Sequence, residues 1–150
     1  MKITDILKTE NIQLNVSVSS KKQVLETISK SASPVTKCEQ QIIFDALVER
    51  ERLGTTGIGK GVAIPHARLA GLTDLYCTFI RTLPVDFEAV DSKPVELIFC
   101  LLVPEESGAD HLKALARISK LLRNDSTCEA LRKASSTEEV LQIIENSDED

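Results

Sequence analysis

Apolar residues near both ends of the chain recur every three to four positions, which is typical of amphipathic helices. Four predicted helix starts also carry a capping box, a Ser or Thr followed three residues later by Glu or Gln. The boxes begin at Ser20, Thr36, Ser126 and Ser136. After the second box, the apolar positions predict one buried helical face formed by Ile42, Ile43, Ala46 and Leu47.

Two further features complete the helical pattern near the end of the chain. Asp110 is a predicted N-cap, followed by a helix whose inward positions are Leu112, Leu115, Ala116, Ile118, Leu121 and Leu122. The helix that begins at Ser136 is predicted to bury Val140, Leu141, Ile143 and Ile144. The acidic residues 148–150 follow it, and we expect them to form a solvated, frayed end.

Strand patterns lie in the middle of the chain. Residues 95–103 are nearly all apolar and stop at Pro104, as in a strand covered on both faces. Residues 75–83 predict a second strand, and residues 16–18 and 62–64 predict two short ones. Helices before and after a central group of strands indicate a single α/β domain over residues 1–150, with a central mixed β-sheet flanked by helices on both sides.

Composition limits the possible functions. The 150 residues include 18 Lys and Arg and 23 Asp and Glu, for a net charge of −5. An acidic chain does not favour nucleic acid as a partner, because phosphates require a basic face. No apolar run approaches the roughly 18 residues of a membrane span, so we expect a cytoplasmic protein without membrane insertion. The four cysteines form no close pair, which predicts free thiols and no metal site.

The most unusual segment is 54–68, which reads GTTGIGKGVAIPHAR and holds four of the six glycines. Clustered glycines permit positive φ angles and close approach of an anion or another chain. Two nucleotide-binding motifs do not fit this segment. A dinucleotide loop needs GxGxxG between a strand and a helix, and a P-loop needs Ser or Thr after GK, where this chain has Gly61.

Three residues are candidates for chemistry, and each has a structural alternative. Pro65 restricts the backbone directly before His66, so the imidazole is held at the end of a short predicted strand. This arrangement suits proton transfer or nucleophilic attack, although a lone histidine is often structural. His111 opens a predicted helix and could face an anion or only solvent. Arg50 could bind an anion or only stabilise the end of its helix.

Three segments resemble enzyme IIA of the bacterial phosphoenolpyruvate phosphotransferase system, mannitol/fructose class, and most closely its nitrogen-regulatory branch. They are 56–66 (TGIGKGVAIPH), 87–104 (FEAVDSKPVELIFCLLVP) and 111–119 (HLKALARIS). Weaker similarity covers nearly the whole chain. The chain differs from many nitrogen-branch members at Lys60, where those have Asn, and at Ala67 and Arg68, where those have Gly-Lys. These differences bear on partner preference.

The resemblance implies a function and a role for each candidate. His66 would be the phosphoryl acceptor through Nε2, Arg50 would stabilise the phosphate, and His111 would assist. It implies a histidine-phosphocarrier protein as donor, regulated intracellular proteins as partners, and no cofactor or metal. The alternatives are a sugar-uptake enzyme IIA that passes the phosphoryl group to a IIB domain, and a binding module without phosphotransfer. Whether the chain counts as an enzyme stays open, because it would act through a phosphohistidine intermediate.

Overall fold

The computed structural model describes residues 1–148, which form six α-helices and six β-strands. The helices are α1 (Ile3–Ile6), α2 (Lys21–Thr36), α3 (Gln40–Arg52), α4 (Asp110–Leu122), α5 (Asp125–Lys133) and α6 (Thr137–Ser147). The strands are β1 (Ile12–Val16), β2 (Gly57–Gly59), β3 (Val62–Ala63), β4 (His66–Leu69), β5 (Tyr76–Val85) and β6 (Val95–Pro104). A short 3-10 turn, Thr9–Asn11, precedes β1.

All six strands belong to one mixed sheet organised around β6. Strand β5 pairs with β6 in antiparallel orientation, and β1 pairs with β5 in parallel orientation. On its other side β6 pairs in parallel with β3 and β4, and β2 pairs in antiparallel orientation with β3. The long apolar strand predicted at residues 95–103 is therefore the central strand of the sheet.

Helices cover both faces of this sheet, as predicted. Side chains on a strand alternate between faces, so neighbouring residues of β6 contribute to two separate cores. Phe99 and Leu101 pack with α1, α4, α5 and α6 on one face. Cys100 and Leu102 pack with α2 and α3 on the other. This arrangement confirms the single α/β fold with a mixed sheet between helical layers.

Of the four helix starts that carry the capping-box pattern, two are confirmed as helix N-caps, although without the reciprocal bond of a full box, and two are wrong. Ser20 and Ser136 each accept a hydrogen bond at 3.1 Å from the backbone N–H three residues later. Thr36 instead ends α2, where its hydroxyl donates to Ala32 O, and the chain turns at Lys37 with φ of 66°. Ser126 lies inside α5, because the Asn124 side chain caps this helix.

Some predicted inward positions are also wrong. Leu112 and Ile42 are 60% and 50% exposed, and Ala116 is exposed as well. In α4 the buried stripe is instead Ala114, Ile118, Leu121 and Leu122. Asp110 is the first residue of α4 and Ala109 its N-cap. The first short strand lies at Ile12–Val16 rather than 16–18, while the last helix buries Val140 and Ile144 as predicted.

The acidic end of the chain departs from its prediction at Asp148, which is buried rather than solvated. Its carboxylate accepts a 2.7 Å hydrogen bond from the Ile3 N–H and a 3.1 Å bond from Arg117 Nε. An Asp carboxylate is buried at low cost when its oxygens are paired in this way. Asp148 therefore joins α1, α4 and the end of α6, while residues 149 and 150 lie outside the described part.

The cysteines are free thiols, as predicted. Cys77, Cys100 and Cys128 are buried, and burial raises the pKa of each thiol above its usual value. Within residues 1–148, no helix is long and apolar enough to cross a membrane. The same residues contain no group of three or more His, Cys, Asp or Glu side chains that could hold a metal ion.

Candidate functional site

His66 is the first residue of β4 and follows Pro65, which separates this strand from β3. It pairs with Leu101 of the central strand, so its backbone is fixed by the sheet. Because side chains alternate along a strand, His66 and Arg68 point to the same, solvent-accessible side. Ala67 and Leu69 are buried on the opposite side.

The contacts of the His66 ring distinguish its two nitrogens. Nδ1 lies 2.9 Å from Ile64 O, so Nδ1 carries a hydrogen and donates to this carbonyl. Nε2 is then the unprotonated nitrogen, and it accepts a hydrogen bond of 3.2 Å from Arg50 Nε. The lone pair of Nε2 therefore lies at the cleft surface beside a guanidinium.

The charge state of His66 follows from its surroundings. Partial burial lowers the pKa of His66 below its usual value of 6.5, and the positive charge of Arg50 lowers the pKa further. The Ile64 hydrogen bond and the negative charge of Glu51 oppose this shift without cancelling it. His66 is thus neutral near pH 7, with its Nε2 lone pair available.

Arg50 lies in the last turn of α3 and reaches both the cleft and the loop that follows the helix. Its Nη1 donates to Gly54 O at 2.9 Å, while its Nε donates to His66. A cation in the last turn also stabilises the helix dipole. Both interpretations left open by the sequence are therefore compatible with the position of Arg50.

His111, in the first turn of α4, repeats the hydrogen-bond pattern of His66. Its Nδ1 lies 2.7 Å from Gly108 O, and its Nε2 lies 2.9 Å from Arg68 Nη2. Arg68 Nη1 also donates to Glu105 O at 3.2 Å. His66, His111 and both arginines line one cleft of about 530 Å³. The structure thus brings the three predicted site residues together.

Sequence reasoning missed the contributions of Arg68 and Glu51. In the sequence, Arg68 stands out only as a difference from related sequences, although its position two residues after His66 in an extended segment places both on one face. Glu51 accepts hydrogen bonds from the backbone N–H and the hydroxyl of Thr56. No spacing rule predicts this contact, because it depends on how the glycine-rich loop folds back on α3.

A larger cavity, of about 890 Å³, lies elsewhere and has a different character. Carboxylates surround it, namely Asp5, Asp74, Glu105, Glu106 and Asp110. A cavity of this charge repels phosphate, whereas two guanidiniums and two imidazoles favour it. The smaller cleft is therefore the candidate site for phosphate chemistry.

An α/β domain with two histidines and two arginines around one cleft defines a class of protein suited to handling phosphoryl groups. Residues 5–147 match the family model of the phosphoenolpyruvate-dependent sugar phosphotransferase system, EIIA 2, and the chain belongs to this family.

Individual relatives agree with this assignment. A nitrogen regulatory protein of Bradyrhizobium diazoefficiens is 43% identical over 145 residues, which cover 96% of this chain and 95% of that protein. The structure of nitrogen regulatory protein IIA-Ntr from Neisseria meningitidis is similar with a TM-score of 0.91 and 42% identity, covering 95% of this chain and 98% of that one. A fructose-specific EIIA component of Haloferax volcanii is 34% identical over 144 residues, or 95% of this chain and 94% of that protein. The predicted resemblance to the mannitol/fructose class and its nitrogen-regulatory branch is confirmed.

Proposed function

We propose that this chain is a regulatory phosphocarrier that accepts a phosphoryl group on Nε2 of His66. The donor is a phosphohistidine on a small histidine-phosphocarrier protein, and the phosphorylation state of His66 controls the binding of intracellular protein partners. One observation carries the proposal. The Nδ1–H of His66 is bonded to Ile64 O, which leaves the Nε2 lone pair at the cleft beside Arg50.

The transfer balances without an added reactant. The Nε2 lone pair of neutral His66 attacks phosphorus, and the P–N bond to the donor histidine breaks as the new one forms. The electron pair of the broken bond returns to the nitrogen of the donor ring. Positive charge develops on the His66 ring during attack, and the bond from Nδ1–H to Ile64 O stabilises it.

The arginines supply the electrostatic part of the reaction. Phosphoryl transfer depends mainly on alignment and on neutralising the oxygens of the moving group. The Arg50 guanidinium already contacts Nε2 of His66. A phosphoryl group on Nε2 would therefore lie within reach of its N–H groups, which can turn to bind the phosphoryl oxygens. Arg68 and His111 lie across the same cleft and can bind the oxygens on the other side. A charged hydrogen bond of this kind contributes about 1.5–3 kcal/mol.

Regulation through this site is supported by the nitrogen regulatory proteins among the relatives. Two exposed leucines line the cleft, Leu53 at 85% and Leu112 at 60% exposure, and both offer apolar contact to a partner. A phosphoryl group adds a charge of about −1.5 to −2 beside them. Each change of about 1.4 kcal/mol in binding free energy alters affinity tenfold, so a difference of a few kcal/mol between the two phosphorylation states would suffice for control.

Mass spectrometry tests the acceptor directly. The protein is mixed with phosphoenolpyruvate, enzyme I and the phosphocarrier, and we expect an increase of about 80 Da, the mass of one added phosphoryl group. Peptide mapping should place it on His66, and the His66→Ala variant should stay unmodified. An unmodified wild-type protein would contradict the proposal and favour a binding module without phosphotransfer.

Sugar uptake is the second candidate, because the Haloferax relative is named a fructose-specific EIIA component. It differs from regulation in the destination of the phosphoryl group. Phosphorylated protein is mixed with fructose-type and mannitol-type IIB domains, and parallel pull-downs from cell extract use both phosphorylation states. We expect slow transfer and pull-downs that depend on phosphorylation. Fast transfer together with pull-downs that ignore phosphorylation would support sugar uptake instead.

A further inference from the structure

We infer that Glu51 is a positioning residue for His66, which it holds in the Nδ1–H form through a chain of hydrogen bonds in the glycine-rich loop. The effect of Glu51 on phosphotransfer rests on the proposed function, because only the Nδ1–H form leaves Nε2 free to attack phosphorus. Glu51 does not touch the imidazole or the site of the phosphoryl group.

The carboxylate of Glu51 is nearly inaccessible, with its side chain 6% exposed, and its contacts account for this burial. Oε2 accepts from the Thr56 N–H at 3.1 Å and lies 2.7 Å from Lys21 Nζ. Oε1 accepts from the Thr56 hydroxyl. A buried carboxylate without such partners would strongly destabilise the fold. The fold therefore keeps the bonds between Glu51 and Thr56, and these bonds hold the Thr56 peptide in place.

A path of backbone bonds leads from Thr56 to His66. The Thr56 carbonyl accepts from the Ile64 N–H at 2.9 Å. The Ile64 carbonyl accepts from His66 Nδ1–H, also at 2.9 Å. The position of the Thr56 peptide therefore sets the position of the Ile64 residue, and Ile64 O selects the protonated nitrogen of His66.

Neighbouring contacts keep this path rigid. Lys21, the partner of Glu51, lies 4.9 Å from the centre of the Phe87 ring. Gly57, the residue after Thr56, packs so tightly on Ala89 that a Cβ atom there would lie 2.8 Å from it. The loop therefore has little room to move while the Glu51 contacts are intact.

Arg50 and Glu51 are adjacent in the last turn of α3 but make different contacts. Arg50 points into the cleft and bonds to Nε2 of His66 and to Gly54 O. Glu51 points the other way and bonds to Thr56. Arg50 therefore holds Gly54 and Glu51 holds Thr56, so the two adjacent residues act on the two different nitrogens of His66.

The test compares Glu51→Gln with Glu88→Gln. Both changes remove a carboxylate near Lys21, but Glu88 lies 4.0 Å from Lys21 Nζ, is 75% exposed and has no bond to Thr56. Nitrogen-15 NMR of the imidazole measures which ring nitrogen of His66 carries the hydrogen. Phosphotransfer from the phosphocarrier is measured in the same samples.

We expect Glu51→Gln to increase the fraction of His66 with hydrogen on Nε2 and to slow phosphotransfer by about 10- to 100-fold, as when an outer partner of a functional histidine is removed. Glu88→Gln should match the wild type in both measurements. An unchanged His66 ring spectrum in folded Glu51→Gln would overturn the inference, whatever happens to the rate.

Variants at Thr56 decide the question if Glu51→Gln does not fold. Thr56→Val removes the hydroxyl that bonds to Glu51 and keeps the shape of the side chain, whereas Thr56→Ser keeps the hydroxyl. We expect Thr56→Val to shift the ring nitrogens of His66 in the same direction and Thr56→Ser to restore the wild-type spectrum. Equal spectra for the two variants would overturn the inference.

The proposed function and this inference fail differently. A wild-type protein that never becomes phosphorylated would contradict the proposed function and leave the ring spectra as the measure of positioning. A phosphorylated wild-type protein whose ring spectrum does not respond at Glu51 or Thr56 would keep the function and remove the role of Glu51.

Discussion

The two histidines of the cleft share one hydrogen-bond pattern but differ in how it is supported. Each donates from Nδ1 to a backbone carbonyl, and each accepts at Nε2 from an arginine. For His66 the carbonyl belongs to Ile64, which is buried and bonded to Thr56 beside the sheet. For His111 the carbonyl belongs to Gly108, in the exposed turn before α4.

This difference bears on the separate tasks that we propose for the two rings. A nucleophile must keep one nitrogen unprotonated and aligned with the incoming phosphorus, so it needs a fixed frame. A group that only helps to bind the oxygens can adjust with its loop. The comparison therefore supports the proposed roles, in which His66 accepts the phosphoryl group and His111 assists, and the following experiments challenge that division.

The largest effect is expected for His66→Ala, which removes the proposed nucleophile. No phosphoryl group should be transferred from the phosphocarrier, and mass spectrometry should detect no stable product. His111→Ala at matched concentration is the control and should reach full modification. Normal labelling of His66→Ala would show that another residue accepts the phosphoryl group and would contradict the role proposed for His66.

Arg50→Lys should have the next largest effect. Lysine keeps a cation for the helix dipole but loses the planar group that bonds His66 and that we propose to bind phosphate oxygens. We expect transfer to slow by about 10- to 100-fold, the equivalent of one charged hydrogen bond, with near-normal thermal stability. Stopped-flow or quench-flow rates and thermal unfolding measure the two quantities. Unchanged rates with reduced stability would mean that Arg50 only stabilises the end of α3.

A smaller effect is expected for His111→Ala. The loss of the one hydrogen bond that we propose between His111 and the phosphoryl group should slow transfer by about two- to tenfold and leave the same phosphorylated product. Peptide mapping must still locate the modification on His66. A phosphopeptide containing His111, or complete loss of transfer in the folded variant, would contradict its assisting role.

The smallest expected effect is the contribution of His66 to the pH dependence of protein stability. Because burial and Arg50 lower the pKa of His66, the unfolded chain binds a proton more readily than the folded protein. His66 therefore contributes stability above its unfolded pKa of about 6.5, and this contribution is lost as pH falls through the lower folded pKa. Urea unfolding measures the free energy of unfolding at pH 7.5 and at pH 5.5. The decrease in this free energy between the two pH values should be larger for the wild type than for His66→Gln. Equal losses would mean that the folded and unfolded pKa values do not differ.

The sequence predicts those parts of the molecule that depend on local pattern. Strand β6 is predicted almost to the residue, because a strand buried on both faces reads as one apolar run. The N-cap at Asn124 is missed, because Ser126 satisfies the capping-box pattern and only the chain path shows that Asn124 accepts from two N–H groups. Within the site, His66, Arg50 and His111 are candidates from their positions in the sequence, whereas their roles are proposed from family resemblance. Glu51 escapes detection, because its partner Lys21 lies thirty positions earlier and is joined to it only by folding.

The Asp148 carboxylate also has a consequence for local unfolding. It joins the third residue of the chain to α4, across nearly the whole length of the sequence. Closing so long a loop costs conformational entropy, so these contacts depend on the folded chain that brings the two ends together. The amide hydrogens of α1 and of the last turn of α6 should therefore exchange with solvent as one cooperative unit, separately from those of β5 and β6.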